Sequence, residues 1–312
     1  MAKRLIPGGT VLLACALLGG GGAFAAEPAE CRTLRLADGG WTDNTAQNGL
    51  VAVVLEAMGS AVEVQLLGVP VILQSLENGD IDVWLDNWMP SQTVEVTPFL
   101  ERGTIESHAV NLEGAGYGPV VPAYVAAAGV TSLADLAAHG AAFETAIYGI
   151  EAGNDGNRIL QEKIEDPANG LTGWRLVESS EQGMLTQAAK LIAEQKWVVF
   201  LAWTPHPVMG AMDLRYLDGF EADGFGPATI HTLVRKGYAA ACPNLGRFLT
   251  NLRFSLQMEG DVMQAILDGE DAEAAALAWI KANPAAVEPW LVEVTAADGG
   301  AALPAVKSAL GL

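Results

Sequence analysis

The sequence predicts an α/β protein of two similar lobes, each a mainly parallel sheet flanked by helices. Three observations predict it. Strand-like and helix-like segments alternate along the first part of the chain, and the same alternation restarts near residue 146. About 285 residues remain once an N-terminal leader is removed, more than one hydrophobic core usually holds.

The leader comes first. Lys3 and Arg4 form a short positive region, an apolar glycine-rich stretch runs from about Val11 to Gly22, and Ala23-Phe24-Ala25 supplies the small residues of a cleavage site. Residues 1–25 therefore read as a signal peptide. The stretch is too short and too interrupted by glycine to read as a membrane span. Leu12-Leu13-Ala14-Cys15 resembles a lipobox, so lipidation at Cys15 is the minor alternative. Cleavage leaves two cysteines, Cys31 and Cys242, which in an oxidising compartment read as one disulfide; two buried free thiols are the other reading.

The elements follow in order. Leu34 to Ala37 reads as a short buried strand stopped at Asp38-Gly39-Gly40. Leu50, Val51, Val54, Leu55 and Met58 stand at helical spacing and predict a helix from near Thr45 to Met58. Val62 to Leu67 is the next strand, Val71 to Asn78 a helix ended by Gly79, and Ile81 to Leu85 the third strand. In the middle of the chain Ala146 to Ile150 is a strand, Arg158 to Ile164 a helix and Trp174 to Val177 a strand. Gln182 to Gln195 is then an amphipathic helix and Trp197 to Leu201 a strand. From about Leu233 the pattern turns helical, over Leu245 to Met258, Val262 to Leu267 and Ala272 to Ala282. The stretch from Pro284 to Leu312 is a helical element expected to wrap back on the first lobe.

The two alternations end alike, in Trp88-Met89-Pro90 and Trp203-Thr204-Pro205. Each tryptophan falls just past the C-terminal end of a predicted parallel strand, the edge where ligands sit in open α/β sheets. Trp41, Trp88, Tyr117 and Trp203 are flanked by glycine, proline, asparagine or aspartate, which places all four in loops. Trp84, Trp197 and Trp279 sit instead in apolar runs and read as core.

Such a set suits a quaternary ammonium group. It has no N–H to direct a hydrogen bond, and its charge is spread over methyl groups, so aromatic ring faces hold it at roughly 0.5–2 kcal/mol per contact. The surrounding segments carry Asp43, Asp86 and Asn87 and no lysine or arginine. The whole chain has 17 basic and 37 acidic residues. Loss of Lys3 and Arg4 leaves 15 against 37, a net charge of −22. That balance argues against nucleic acid or anionic membrane as partner and mildly favours a cationic ligand.

Several segments carry a more specific likeness: Gly40 to Asn44, Asp80 to Pro90, Gly116-Tyr117-Gly118, Gly149 to Asn157 and Leu201 to Pro207. In order and spacing these resemble the choline-binding proteins of the glycine betaine/choline/proline betaine family of ABC-transporter substrate-binding proteins. The resemblance implies a two-lobed, type II-like periplasmic-binding fold closing on its ligand in the cleft. It places lobe 1 at 26–113 plus 214–312 and lobe 2 at 114–213. By position, the aromatic box would be Trp41, Trp88, Tyr117 and Trp203. Asp43 would be the acidic residue that helps hold choline, and Asn154 the amide at its polar end. The implied ligand is choline, with acetylcholine or betaines as alternatives, and the implied partners are the permease subunits of an ABC importer. A monomeric periplasmic protein without cofactor, metal or catalytic residues is expected.

Two further readings stand beside this one. Asp43 would repel a betaine carboxylate, whereas His206 offers it a donor; a histidine between two prolines reads otherwise as a structural surface residue. An enzyme acting on choline esters or phosphocholine would need a nucleophile with its base, a metal site or a tuned carboxylate pair. The sequence holds no Gly-x-Ser-x-Gly, HExxH or GxxxxGK[ST] motif. His108, His139, His206 and His231 are scattered, and Glu151 and Asp155 read as a solvated loop around Asn154.

Overall fold

Alternation of Leu34 and Leu36 into the core makes β1 (Thr33–Asp38) a strand, and Arg35 between them is held by Asp82 at 2.7 Å. The chain is described by a computed structural model over residues 28–312, so the leader and Cys15 lie outside the described residues. The first half continues through α1 (Thr42–Ala57), β2 (Ala61–Leu66), α2 (Val69–Asn78), β3 (Val83–Met89), α3 (Thr93–Glu101) and the long β4 (Ile105–Pro122). The second alternation has the short helices α4 (Ala123–Ala127) and α5 (Leu133–Ala138), then β5 (Ala146–Tyr148), α6 (Asp155–Glu165), β6 (Arg175–Val177), α7 (Glu181–Ala193) and β7 (Phe200–Thr204). After α8 (Val208–Ala211) and β8 (Leu214–Tyr216), β9 (Gly226–Arg235) runs back to the first half. The chain closes with α9 (Tyr238–Ala241), α10 (Pro243–Asn251), α11 (Leu256–Leu267), α12 (Ala272–Ala282) and α13 (Ala302–Leu310).

The sheet order is β2-β1-β3-β9-β4-β7-β5-β6, with β8 paired separately to the end of β4. The parallel pairing expected from the alternation holds within two trios, β2-β1-β3 and β7-β5-β6. Between them β9 and β4 run antiparallel to each other and to their outer neighbours, so one mixed sheet joins two α/β halves. This gives the two-lobed α/β architecture its cleft, at the C-terminal ends of β3 and β7.

Some boundaries move. The strand expected at Trp197–Leu201 lies at Phe200–Thr204, and the chain is still a strand at Leu233, turning helical only at Tyr238. The helix expected over Leu245–Met258 is interrupted after Asn251. α11 restarts behind Ser255, whose side chain accepts the Met258 amide as an N-cap. β4 has no counterpart in the sequence pattern, because Gly114, Gly116, Gly118 and register shifts interrupt its alternation.

α1 is buried along nearly its whole length because α11 and α12 cover the side away from the sheet. Gly49 permits this: a Cβ there would stand 2.7 Å from the Ala272 carbonyl oxygen. α13 packs on α1, so the C-terminal stretch does return to the first half. Cys31 and Cys242 form a disulfide across 211 positions, fastening the approach to β1 to the start of α10.

Candidate ligand-binding site

The cleft contains a cavity whose walls come from both halves. Trp41, Asp43, Trp88 and Gln92 line it from the first, and Tyr117, Ile150, Asn154, Asp155 and Trp203 complete it. It holds about 230 Å³ of atom-free space. The six residues predicted for the site therefore share one narrow cavity.

Backbone geometry places the rings. Tyr117 of β4 lies directly opposite Trp203 of β7 in the antiparallel register, which sets their side chains on one face of the sheet. The Tyr117 ring is 6.3 Å from Trp203 and 5.7 Å from Trp88, both at steep angles. Trp88 and Trp203 each precede a cis X-Pro peptide, so the echo between the halves extends to the backbone. Trp41 occupies the N-cap position of α1. The aromatics are not loop-tip residues as expected: Trp88, Tyr117 and Trp203 belong to strands, and all four are 4–5% exposed. Glycine and proline around them mark strand ends and a close approach rather than open loops. A Cβ at Gly156 would lie 2.0 Å from the Tyr117 hydroxyl, so only glycine lets α6 come this near.

Polar groups orient these rings. The Trp41 indole donates to both carboxylate oxygens of Glu151 at 3.1 Å, and the Trp88 indole donates to Asp86 at 3.1 Å. The Tyr117 hydroxyl donates to the Asn154 side-chain oxygen at 3.1 Å, and that same oxygen caps α6 by accepting the Gly156 amide at 2.7 Å. The Trp203 indole N–H is buried without a hydrogen-bond partner.

Asp43 is the unusual group. It is 1% exposed, and neither carboxylate oxygen meets a hydrogen-bonding partner, although the first amides of α1 are near enough to soften its charge. Burial pushes its pKa well above the usual aspartate range, and the negative charges of Asp86 and Glu181 push it further. Burial likewise raises Asp155 to about 6. Among the described residues no lysine or arginine lines the cavity. A buried acid without a cation leaves a deficit that a positively charged guest would fill.

Gln92, Ile150 and Asp155 were not expected in the site. The sequence reads Asp155 as part of a solvated loop, but as the first residue of α6 it is 1% exposed and accepts from Gln92 at 3.2 Å. Glu151 is likewise not free in solvent, being held by Trp41. A helix start after Asn154 was the signal available, since the residue following an N-cap points inward as readily as outward. His206, read as a surface residue, is buried instead. It stacks edge-on against Trp203 at 5.1 Å and lies 3.2 Å from Glu181.

Several hydrogen bonds tie the two halves across the cleft. Glu181 of α7 accepts from the Thr42 amide at 2.8 Å and from its hydroxyl, and Arg158 of α6 pairs with Glu95 of α3 at 2.6 Å. With Trp41–Glu151 and Gln92–Asp155, these contacts hold the cleft shut.

Residues 32–282 match the family described as the substrate-binding domain of ABC-type glycine betaine transport systems, OpuAC. The chain belongs to that family. It is an OpuAC-family substrate-binding component of ABC-type transport. Among solved structures it is similar to an ABC-transporter choline binding protein in complex with choline, at 47% identity and a TM-score of 0.89, covering 91% of this chain and all of that one. An ABC-transporter choline binding protein in an unliganded semi-closed conformation superposes less closely, with a TM-score of 0.82 at the same identity and coverage. The OpuAC-family chain thus matches the liganded shape better, in keeping with its cross-cleft bonds. The glycine betaine/carnitine transport binding protein GbuC of Listeria monocytogenes is 33% identical over 153 residues, 49% of this chain and 51% of that protein.

Proposed function

We propose that this chain captures choline outside the cytoplasm and delivers it to the permease subunits of an ABC importer. One observation carries the reading: four aromatic rings and an unpartnered buried carboxylate, Asp43, share a single narrow cavity with no basic residue. A trimethylammonium head finds ring faces on several sides there, and the Asp43 charge lies within the same space. Trp41, Trp88, Tyr117 and Trp203 form the box, and Asp43 balances the cation or accepts the choline hydroxyl proton. Asn154 meets the polar end. The 47% identity to a protein solved with choline supports the assignment.

Glycine betaine or proline betaine is the second reading, favoured by the name of the family itself. A betaine carboxylate would meet Asp43 and Asp155 and no guanidinium or ammonium group. The buried imidazole of His206 is engaged by Glu181 and by the Val208 amide, which leaves it poorly placed as a carboxylate donor.

The reading is of a carrier rather than a catalyst. Among the described residues no serine, threonine, cysteine or lysine lines the cavity, and its carboxylates Asp43 and Asp155 are read as holding charge and hydrogen bonds. Export by removal of residues 1–25, a periplasmic location and a monomeric state are part of the proposal. So is a division into a lobe of 26–113 plus 214–312 and a lobe of 114–213. Pairing of β8 with β4, and of Gly226 with Tyr117, favours moving one boundary of that division, so that 214–225 passes from the first lobe to the second and the hinge lies in β4 and β9.

Calorimetric titration with choline, acetylcholine, glycine betaine and proline betaine tests the assignment. Tight choline binding, weak betaine binding and a marked loss of choline affinity in Asp43→Asn are expected. A preference for betaine would reassign the ligand, and unchanged choline affinity in Asp43→Asn would remove Asp43 from the site. Turnover of a choline ester that Trp88→Ala abolishes would overturn the carrier reading.

A further inference from the structure

Behind the cavity lies a second layer of acid that does not line it. Asp86 of β3 and Glu259 of α11 are both fully buried, and neither has a lysine or arginine partner among the described residues. Gln47 of α1 joins them, its amide nitrogen reaching Asp86 at 3.2 Å and Glu259 at 3.0 Å. Asp86 also accepts the Trp88 indole, so this pair sits directly behind one wall of the box. One oxygen of each carboxyl, and both oxygens of Asp43, lack any hydrogen-bond partner.

We propose that Asp86 and Glu259 are specificity-determining residues. Joined through Gln47 behind Trp88, they form with Asp43 a buried acidic floor that admits a net cation in exchange for a proton and disfavours a zwitterion. The inference rests on the quaternary-ammonium reading of the cavity. The physical reason is that three carboxylates cannot all stay charged in a space without cations. In the empty protein the floor holds at least one proton as a carboxylic acid. Entry of a permanent cation supplies the missing positive charge. One acid then ionises, its O–H breaks and the proton passes to solvent. A betaine brings its own negative charge, so it neither supplies net charge nor expels a proton.

Among the described residues, the groups facing this floor leave no other counter-charge. Asp43 faces Asp86 and Glu181, Asp86 faces Glu259 and Asp38, and Glu259 faces Asp43. Asp155 and Tyr117 also line the cavity, with Glu151 near the Tyr117 hydroxyl, and the His206 ring lies beside Glu181. Burial first, and these neighbouring charges second, raise all three floor carboxyls. A cation lowers them, so protons leave on binding and choline affinity rises with pH until the empty floor ionises by itself.

Calorimetry of choline and glycine betaine binding, in two buffers of different ionisation enthalpy, counts the protons. The expected result is up to about one proton released per choline and fewer for glycine betaine. In Asp86→Asn with Glu259→Gln the proton count falls and the choline-to-betaine affinity ratio narrows by about tenfold. Asp86→Asn keeps a carbonyl acceptor for Trp88, so a purely structural role of Asp86 would leave both readouts unmoved. Choline binding without proton release in the unsubstituted protein overturns the inference, as does a double variant with unchanged proton count and ratio. Should the double variant not fold, each single variant carries the same two readouts. Absence of choline binding refutes instead the function on which the inference rests.

Discussion

Glu181→Ala tests whether closure of the cleft contributes to affinity. The Glu181 carboxylate is 1% exposed and takes both the amide and the hydroxyl of Thr42, the first residue of α1, from across the cleft. Each hydrogen bond to a charged group is worth about 1.5–3 kcal/mol net, and an anion at a helix N-terminus adds to it. In an open cleft water would serve both partners, so this stabilisation belongs to the closed state alone. Two such bonds at the lower figure amount to about 3 kcal/mol, which predicts roughly 100-fold weaker choline binding in the alanine variant. Glu181 also adds negative charge near Asp43, and the loss of that charge would weaken cation binding by a separate route. Glu181→Gln separates the two, because it removes the charge and keeps an acceptor for the Thr42 amide. Its affinity should fall between those of the unsubstituted protein and Glu181→Ala. Titration calorimetry gives the affinities, and small-angle scattering at saturating choline reports whether the cleft still closes. Binding by Glu181→Ala within about threefold of the unsubstituted protein would refute the latch.

Two further predictions concern stability. The Cys31–Cys242 bridge closes a loop of 211 positions, for which chain entropy predicts about 5 kcal/mol of stabilisation. Reductant should therefore lower the calorimetric unfolding temperature and leave choline affinity unchanged, since neither cysteine lines the cavity; an unmoved transition would contradict this. Asp155 has its folded pKa raised from 3.8 to about 6, so the folded state binds the proton more tightly. The stability this confers is present below about 3.8 and is lost as pH rises through about 6, a deficit of at most ~3 kcal/mol. Asp155→Asn should raise the unfolding temperature above that window and not below it. An equal gain at both ends would show that charge is not the cause.

Much of the fold and site was legible without coordinates. Leu34 with Leu36, and Leu50 through Met58, write strand and helix periods directly into the chain, and Gly79 marks a helix end through its positive φ of 79°. The four aromatics stood out because strand ends rich in glycine and proline are poor places for a core ring. The same local cue misled on their surroundings, since a glycine that admits a close neighbour looks like a glycine that opens a loop. Gly156 against the Tyr117 hydroxyl is such a case.

The sequence by itself determined the two alternating halves, the echoed Trp-x-Pro strand ends and an aromatic set suited to a methylated cation. Tertiary structure alone decided that β4 and β9 weld the halves into one sheet, that Gln92 and Asp155 enter the cavity, and that Asp86 and Glu259 lie behind it. Periodicity and capping act within a few residues and so leave a readable trace. The contact of Thr42 with Glu181 spans 139 positions and that of Gln47 with Glu259 spans 212, and their polar partners carry no local pattern that names each other. Burial turned those acids from solvated side chains into groups that must find a proton or a cation, and burial is settled only when the chain has closed on itself.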